Sequence, residues 1–476
     1  MDAPVTAIVL AAGAGTRMRS AKAKVLHEIG GRSLLGHALA AVRAAQPEDV
    51  VVVVGHQREQ VTEHALACDP GLRTAVQHEQ NGTGHAVHIA LEALSDLHGT
   101  VLVTSGDVPL LAAETLTELV ADQVSGGHAV SLLTAVLPDP SGYGRVLRDN
   151  NGAVQAIREH RDASPEELAI SEINAGTYAF DAGFLATALD QVGTNNAQGE
   201  VYLTDVVALA MASGRTASAV VCSDVWQTEG VNDREQLARL GGELNRRTLA
   251  RWMRAGVTVV DPASTFVDVT VELAPDVTLL PGTQLHGRTA VDEGALIGPD
   301  TTLTDTTVGV GARVVRTHGS GAQLGPAVSV GPFAYLRPGT RVADGGKVGT
   351  FVETKNASLG RDAKVPHLSY VGDAEVGEGS NIGAGTIFAN YDGVEKNRTV
   401  VGRHCKTGSH NVFVAPVRIG DGAITGAGTV VRKDVPPGAL AVSAGDQRHL
   451  EGWVARKRPD SAGAQAAEAP DAGADS

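Results

Sequence analysis

Between about Asp261 and Leu440 the hydrophobic positions recur every sixth residue, each aliphatic usually followed by Gly: Val291-Asp-Glu-Gly-Ala-Leu, Ile297-Gly-Pro-Asp, Val376-Gly-Glu-Gly-Ser-Asn, Ile382-Gly-Ala-Gly-Thr, Ile419-Gly-Asp-Gly-Ala, Ile424-Thr-Gly-Ala-Gly-Thr. That hexapeptide step predicts a parallel β-helix, in which each short strand sends one aliphatic into a prism while Gly and small polar residues make the corners. Sandwich strands would instead alternate with period two. One rung cannot bury its own aliphatic, so the coil is stable only as a stack. The phase breaks at His318-Gly-Ser-Gly-Ala-Gln-Leu-Gly and at Asn390-Tyr-Asp-Gly-Val-Glu-Lys-Asn-Arg. Interruptions of that kind are expected to leave the coil as loops, where sites tend to be built.

The first third has a different rhythm. Val5–Leu10, Val50–Val54, Thr74–Gln77 and Thr100–Thr104 are short apolar runs, each followed by a loop and a helical pattern, which predicts a parallel, Rossmann-like α/β sheet. Ligands in such sheets sit beyond the carboxyl ends of the strands. From Asp233 to Arg254, Leu237, Leu240, Leu244, Leu249 and Trp252 fit one amphipathic helix, weakened at Gly241-Gly242. The expected organisation is 1–232 α/β, 233–256 connecting helix, 257–455 β-helix, and an Ala/Pro/Asp/Gly tail, 456–476, too poor in apolar residues to order.

Composition narrows the function. Aromatics are only 3% while Gly numbers 57, as aliphatic columns with glycine corners require. A net charge of −15 argues against a nucleic-acid binder, since phosphate-backbone affinity needs excess Lys and Arg. Small phosphorylated ligands remain possible. Mean hydropathy is −0.01, and without a long apolar run no membrane span is expected. The start, Val5-Thr-Ala-Ile-Val-Leu, reads as a strand and not as a signal peptide. Cys68, Cys222 and Cys405 have no metal or disulfide spacing, which fits a reducing cytoplasm.

After the first strand, Leu10-Ala-Ala-Gly-Ala-Gly-Thr-Arg-Met18 lets bare main-chain amides approach an anion. It is neither a dinucleotide fingerprint, because Met18 takes the third Gly position, nor a P-loop, because Gly-Lys-Ser/Thr is absent. Arg17 and Lys24 add two cations suited to a polyphosphate. Asp107, in Ser105-Gly-Asp-Val-Pro, supplies a hard carboxylate of the kind that holds Mg²⁺ beside phosphates. Asn232, taken alone, reads as the N-cap of the helix that follows. In the coil, Arg337, Lys355, His367, Tyr370, Asn381, Asn390, Tyr391 and Ser409 are polar groups for which an aliphatic prism has no use. Among them His367 is the group suited to act as a proton acceptor near neutrality.

Leu10–Met18, Lys24-Val-Leu, Gln77 with Gly82-Thr83, Gly106-Asp107-Val-Pro, Gly142-Tyr-Gly-Arg-Val, Glu159-His-Arg-Asp and Glu172-Ile-Asn-Ala-Gly resemble the nucleotidyltransferase domain of sugar-nucleotide pyrophosphorylases. With the hexapeptide coil, nearly the whole chain is similar to the bacterial family of bifunctional N-acetylglucosamine-1-phosphate uridylyltransferases and glucosamine-1-phosphate N-acetyltransferases. The resemblance implies a left-handed coil, and UTP and acetyl-CoA as co-substrates for making the cell-wall precursor UDP-N-acetylglucosamine. It implies that Leu10, Ala11, Ala12 and Gly13, with Gln77, Gly82 and Thr83, read uracil and ribose, and that Gly144, Glu159 and Asn174 hold the amino sugar. Asp107 and Asn232 would ligate Mg²⁺, and Arg17 and Lys24 would steady the transferring phosphoryl group. In the coil it implies His367 as proton acceptor, Arg337, Lys355, Tyr370 and Asn381 on glucosamine-1-phosphate, and Ala384, Asn390, Tyr391, Ser409 and Ala427 along acetyl-CoA. A homotrimer follows from the same resemblance, with acyl sites lined by neighbouring chains. One departure concerns Ala444, where many members place an Arg on the CoA phosphate; Arg432, Lys433 or Arg448 would have to substitute. Two rival readings are a single-activity pyrophosphorylase with a structural or regulatory coil, and a non-catalytic trimeric scaffold.

Overall fold

The computed structural model describes residues 4–468 except 95, 444 and 446. The chain divides into two compact units, Met1–Asp305 and Thr306–Ser476.

The first unit is built on a nine-stranded mixed sheet. Strands Val5–Ala11 (β1), Asp49–Val54 (β2), Arg73–Val76 (β3) and Thr100–Ser105 (β4) correspond to the four runs read from sequence and are parallel, in the order β4-β1-β2-β3. Burial on both faces explains the near-continuous apolar runs of β1 and β2. The sheet is not purely parallel as the helix–strand rhythm suggested. Glu172–Asp181 (β5) runs antiparallel beside β4, pairing Tyr178 with Val103 and Phe180 with Val101. Local periodicity carries no sign of strand direction, so this insertion was invisible in the sequence.

Helix Arg234–Arg254 (α1) runs unbroken through Gly241-Gly242. The absent side chain is used there: a Cβ on Gly241 would lie 3.2 Å from Ile29, against which the helix packs. Its N-cap is Asp233, whose carboxylate accepts from the Gln236 amide at 2.9 Å, not Asn232 as the sequence suggested. Asn232 is thereby left outside the helix with its carboxamide available.

The unit ends in the opening turns of coil, where Phe266 pairs with Gln284 and Gln284 with Thr302, three hexapeptides per turn. Val267, Leu273, Leu279, Leu285, Val291, Ile297 and Leu303 fill the column. Buried threonines close the corners, Thr283 donating its hydroxyl to the Leu280 carbonyl and Thr289 to the His286 carbonyl, both at 2.7 Å.

The second unit is a left-handed parallel β-helix. Of the two phase breaks, only one leaves the coil. Thr317–Ser320 is a regular strand in which Gly319 takes an inward position opposite Leu336. The second break is a true loop, since Glu375 pairs with Val400 across the inserted Tyr391–Arg398 segment. Asp392 holds it by accepting from the amides of Val394 and Glu395. Ile424, read as a column residue, is exposed, and Thr425 points inward instead, one hexapeptide after Ile419. Trp453–Lys457 and Ala462–Glu468 are short helices, the second wholly within the tail where composition suggested no order; its Ala-rich sequence has high helix propensity without needing a core. Residues 469–476 of that tail lie outside the described residues.

Phe388 and Phe413 meet edge to face inside the coil, centroids 5.0 Å apart and both fully buried. Phe388→Ala is expected to cost about 3–5 kcal/mol, read as a lower denaturation midpoint, because neighbouring rungs cannot collapse into the void.

Candidate functional site

At the carboxyl ends of β1 and β4 lies a cleft of about 300 Å³. Leu10, Ala11, Ala12, Gly13, Lys24, Gln77, Gly82, Thr83 and Asp107, all expected from the sequence, are among its walls. Gly55 on β2's end allows the close approach, since a Cβ there would meet Ala12 at 2.9 Å. Gln77 turns its carboxamide onto the Gly82 carbonyl at 3.1 Å. Gly82 has φ +103°, a conformation that favours glycine.

The cations and the expected metal ligands are cross-paired. The Lys24 ammonium donates to the Asp107 carboxylate, and the Arg17 guanidinium donates to the Asn232 carboxamide oxygen at 2.9 Å. Distant chain segments meet here because the Val231 amide donates to the Asp107 carbonyl at 2.9 Å, setting Asn232 one residue beyond. Both oxygens are hard ligands of the type a divalent cation takes, and each now accepts instead from a cationic side chain.

Gly144, Glu159 and Asn174 are gathered by sheet register. The Asn174 amide donates to the Gly144 carbonyl at 2.9 Å, and Gly144 lies against Glu159. The fully buried Arg145 guanidinium donates to the Tyr143 carbonyl and steadies that loop. Burial pushes the Glu159 carboxyl above its ordinary range, opposed by the Thr204 hydroxyl that donates to it at 3.2 Å. The Asn174 carboxamide donates to the Tyr178 hydroxyl at 2.6 Å.

Gln80, Ser105 and Glu200 also line the cleft and were not singled out beforehand. Gln80 and Ser105 stand inside the runs already noted, so proximity could have found them. Glu200 carried no local signal.

In the coil the expected residues fall on adjoining faces. Arg337, Lys355 and Tyr370 lie on successive turns, with Glu353 opposite Tyr370 and Lys355 opposite Gly372. The Arg337 amide donates to the Thr354 carbonyl at 2.9 Å, and its guanidinium pairs with Glu353 at 3.0 Å. The Lys396 ammonium beside Lys355 lowers that lysine's proton affinity below the ordinary value. Asn390 donates to both the Tyr370 hydroxyl and the Asp373 carboxylate, and Tyr391 opens the inserted loop with an exposed ring.

His367, Ala384, Ser409 and Ala427 climb one corner. Gly385 N donates to the His367 carbonyl at 3.2 Å, His410 N to that of Ala384 at 2.7 Å, and Gly428 N to that of Ser409 at 2.8 Å. Asn381 stands back along that face, bridging Lys364 and Lys406, and so lies on a different face of the coil from Tyr370. Ala444 lies outside the described residues. Arg432 and Lys433 line a groove of about 440 Å³ with Val442 and Ser443.

Fold and sites together define the class: an α/β nucleotidyltransferase continued by a hexapeptide β-helix of the acyltransferase kind. Residues 7–169 match the family model of the MobA-like NTP transferase domain. Proteins named Bifunctional protein GlmU match almost end to end. One from Kineococcus radiotolerans is 60% identical over 467 residues, covering 98% of this chain and 95% of its own. Those from Paenarthrobacter aurescens and Streptomyces coelicolor are 59% and 57% identical, each covering 98% of this chain and 94% and 97% of their own. The chain belongs to the bifunctional GlmU family. It is an N-acetylglucosamine-1-phosphate uridylyltransferase and glucosamine-1-phosphate N-acetyltransferase.

Proposed function

We propose that residues 257–455 acetylate glucosamine-1-phosphate and that residues 1–232 then transfer UMP from UTP to the product, the helix at 233–256 connecting the two. The observation that carries this reading is the cleft at the end of β1 and β4, where Lys24 and Arg17 meet Asp107 and Asn232.

In uridylyl transfer a phosphate oxygen of N-acetylglucosamine-1-phosphate attacks the α-phosphorus of UTP, one P–O bond forms, and the bond to pyrophosphate breaks. The nucleophile is already an anion, so no general base is needed and the residues position and neutralise. Arg17 and Lys24 take the phosphate oxygens. The peptide amides of Leu10–Gly13, with Gln77, Gly82 and Thr83, hold the nucleoside, and Gly144, Glu159 and Asn174 hold the sugar. Asp107 and Asn232 would hold Mg²⁺, which when bound supplies positive charge beside the triphosphate.

In acetyl transfer the sugar amine attacks the thioester carbonyl while His367 accepts its proton. The C–N bond forms, the C–S bond breaks, and CoA leaves as the thiolate, taking up the proton to become the free thiol. Arg337, Lys355, Tyr370 and Asn381 hold the amino-sugar phosphate, and Ala384, Asn390, Tyr391, Ser409 and Ala427 line the thioester's path.

We assign a homotrimer. Asn381 and Tyr370 occupy different faces of one coil, so they reach a common ligand only across copies. Phe333 and Phe351 stack at 5.3 Å on successive corners, half-exposed, with Leu368 exposed above them, an apolar strip suited to a second copy. Phe351→Glu is expected to shift the protein from trimer to monomer by light scattering; an unchanged mass would remove this strip from the interface. Among the described residues no helix is long and apolar enough to cross a membrane. A cytoplasmic location suits the co-substrates UTP and acetyl-CoA and the three free cysteines.

The reading is tested by supplying UTP with N-acetylglucosamine-1-phosphate and following pyrophosphate, and acetyl-CoA with glucosamine-1-phosphate and following free thiol. Pyrophosphate release without thiol release would favour the single-activity reading.

A further inference from the structure

Glu200 reaches the nucleotide cleft from far along the chain, and its backbone is fastened there. The Asn196 carboxamide accepts from the Glu200 amide at 3.2 Å and donates to its carbonyl at 2.6 Å. Val201 N donates to the Asn81 carbonyl at 2.9 Å, Gly84 N to the Val201 carbonyl at 2.8 Å, and Leu203 N to the Thr83 hydroxyl at 3.1 Å. At Gly82 the two segments are so close that a Cβ would stand 2.4 Å from the Val201 oxygen and 3.0 Å from the Glu200 Cβ. The 196–203 segment is thus sewn to the turn that carries Gly82 and Thr83, and Glu200 becomes part of the same wall.

The side chain is treated differently from the backbone. Glu200 is half-buried, yet among the described residues its carboxylate has no hydrogen-bond or ion-pair partner, in contrast to Asp107, which Lys24 neutralises. A partly buried carboxylate without donors costs free energy until a donor arrives. In a cleft that must admit a polyphosphate, such a group is tolerable only where it faces an uncharged part of the ligand. Besides the single N–H of a uracil ring, the donors a nucleoside presents are its sugar hydroxyls, and only that vicinal pair matches the two oxygens of one carboxylate. Acids hold ribose hydroxyls in other nucleotide folds for this reason.

We infer that Glu200 accepts hydrogen bonds from the ribose 2′- and 3′-hydroxyls of the nucleoside triphosphate, and so makes the cleft selective for ribonucleotides. This rests on the reading of the cleft as the UTP site. It makes a residue absent from the recognisable loops the determinant of sugar specificity.

The test compares kcat/KM for UTP, 2′-deoxyUTP and 3′-deoxyUTP in the full chain, in Glu200→Ala and in Glu200→Gln. The unaltered enzyme is expected to prefer UTP to both analogues. Glu200→Ala is expected to lose on the order of ten- to a hundredfold with UTP and to bring the three nucleotides close together, the scale of one hydrogen bond to a charged group. Glu200→Gln, which keeps one acceptor oxygen, should fall between. Acetyl transfer by the same preparations reports that each variant is folded. Failure of the unaltered enzyme to use UTP at all would sink the reading of the cleft. Turnover of UTP with the same deoxynucleotide ratios in enzyme and Glu200→Ala would sink the inference alone, as would a defect confined to KM for the sugar phosphate.

Discussion

His367→Ala is expected to lower acetyl transfer by about two to four orders of magnitude, the range general-base catalysis supplies, and to leave uridylyl transfer unchanged. The side chain is exposed, while the residue's structural duties fall on its backbone: its carbonyl accepts from Gly385 N and from the Ser369 hydroxyl, and its strand pairs with Lys347–Thr350. Alanine keeps all of these and removes no core packing. A loss of acetylation would therefore report the imidazole's chemistry, not unfolding. Thiol release with acetyl-CoA and glucosamine-1-phosphate measures it, and pyrophosphate release from the same sample is the control. Equal loss of both activities would mean that His367 is structural, and an undiminished acetylation rate would assign the proton to another base.

The second large effect is expected at Asp107. Asp107→Asn should reduce uridylyl turnover by about two to three orders of magnitude and leave acetyl transfer untouched. Asparagine retains the volume and an oxygen that can accept from Lys24, and the backbone bond from Val231 N does not involve the side chain. What disappears is one negative charge at the meeting point of Lys24, Arg17 and Asn232. Without it, a divalent cation loses its strongest ligand there, and the requirement for added Mg²⁺ should move to higher concentration. Direct titration of the metal, in the absence of sugar phosphate, separates this from a defect in chemistry. A variant that turns over normally would take Asp107 out of the metal site.

These two substitutions also separate the rival readings. A single-activity pyrophosphorylase would respond to Asp107→Asn alone, and a scaffold to neither.

Much of this molecule was legible along the chain because its main signals are periodic or local. A six-residue step demands a prism: Leu279, Leu285, Val291 and Ile297 can be buried together in no other way. The Gly-rich loop after the first strand and the acid after the fourth were readable because an apolar run followed by glycine or Asp marks a strand's carboxyl end. Even the inserted Tyr391–Arg398 loop showed, since polarity interrupts the step there. Where the reading slipped, the cause was a choice between neighbours with similar propensities: Asp233 over Asn232 as the cap, Thr425 over Ile424 in the column, and a strand where Gly319 merely replaced an aliphatic.

What only the tertiary structure decided is which of these local pieces touch. The antiparallel course of β5, the pairing of Lys24 with Asp107 and of Arg17 with Asn232, the approach of Glu200 to Gly82, and the separation of Asn381 from Tyr370 onto different faces all join residues whose sequence neighbours do not mention one another. A side chain's period along one strand or turn is set by its own backbone dihedrals. The partner it meets across the molecule is set by sheet order and by the bonds between loops, and those depend on the whole chain closing at once.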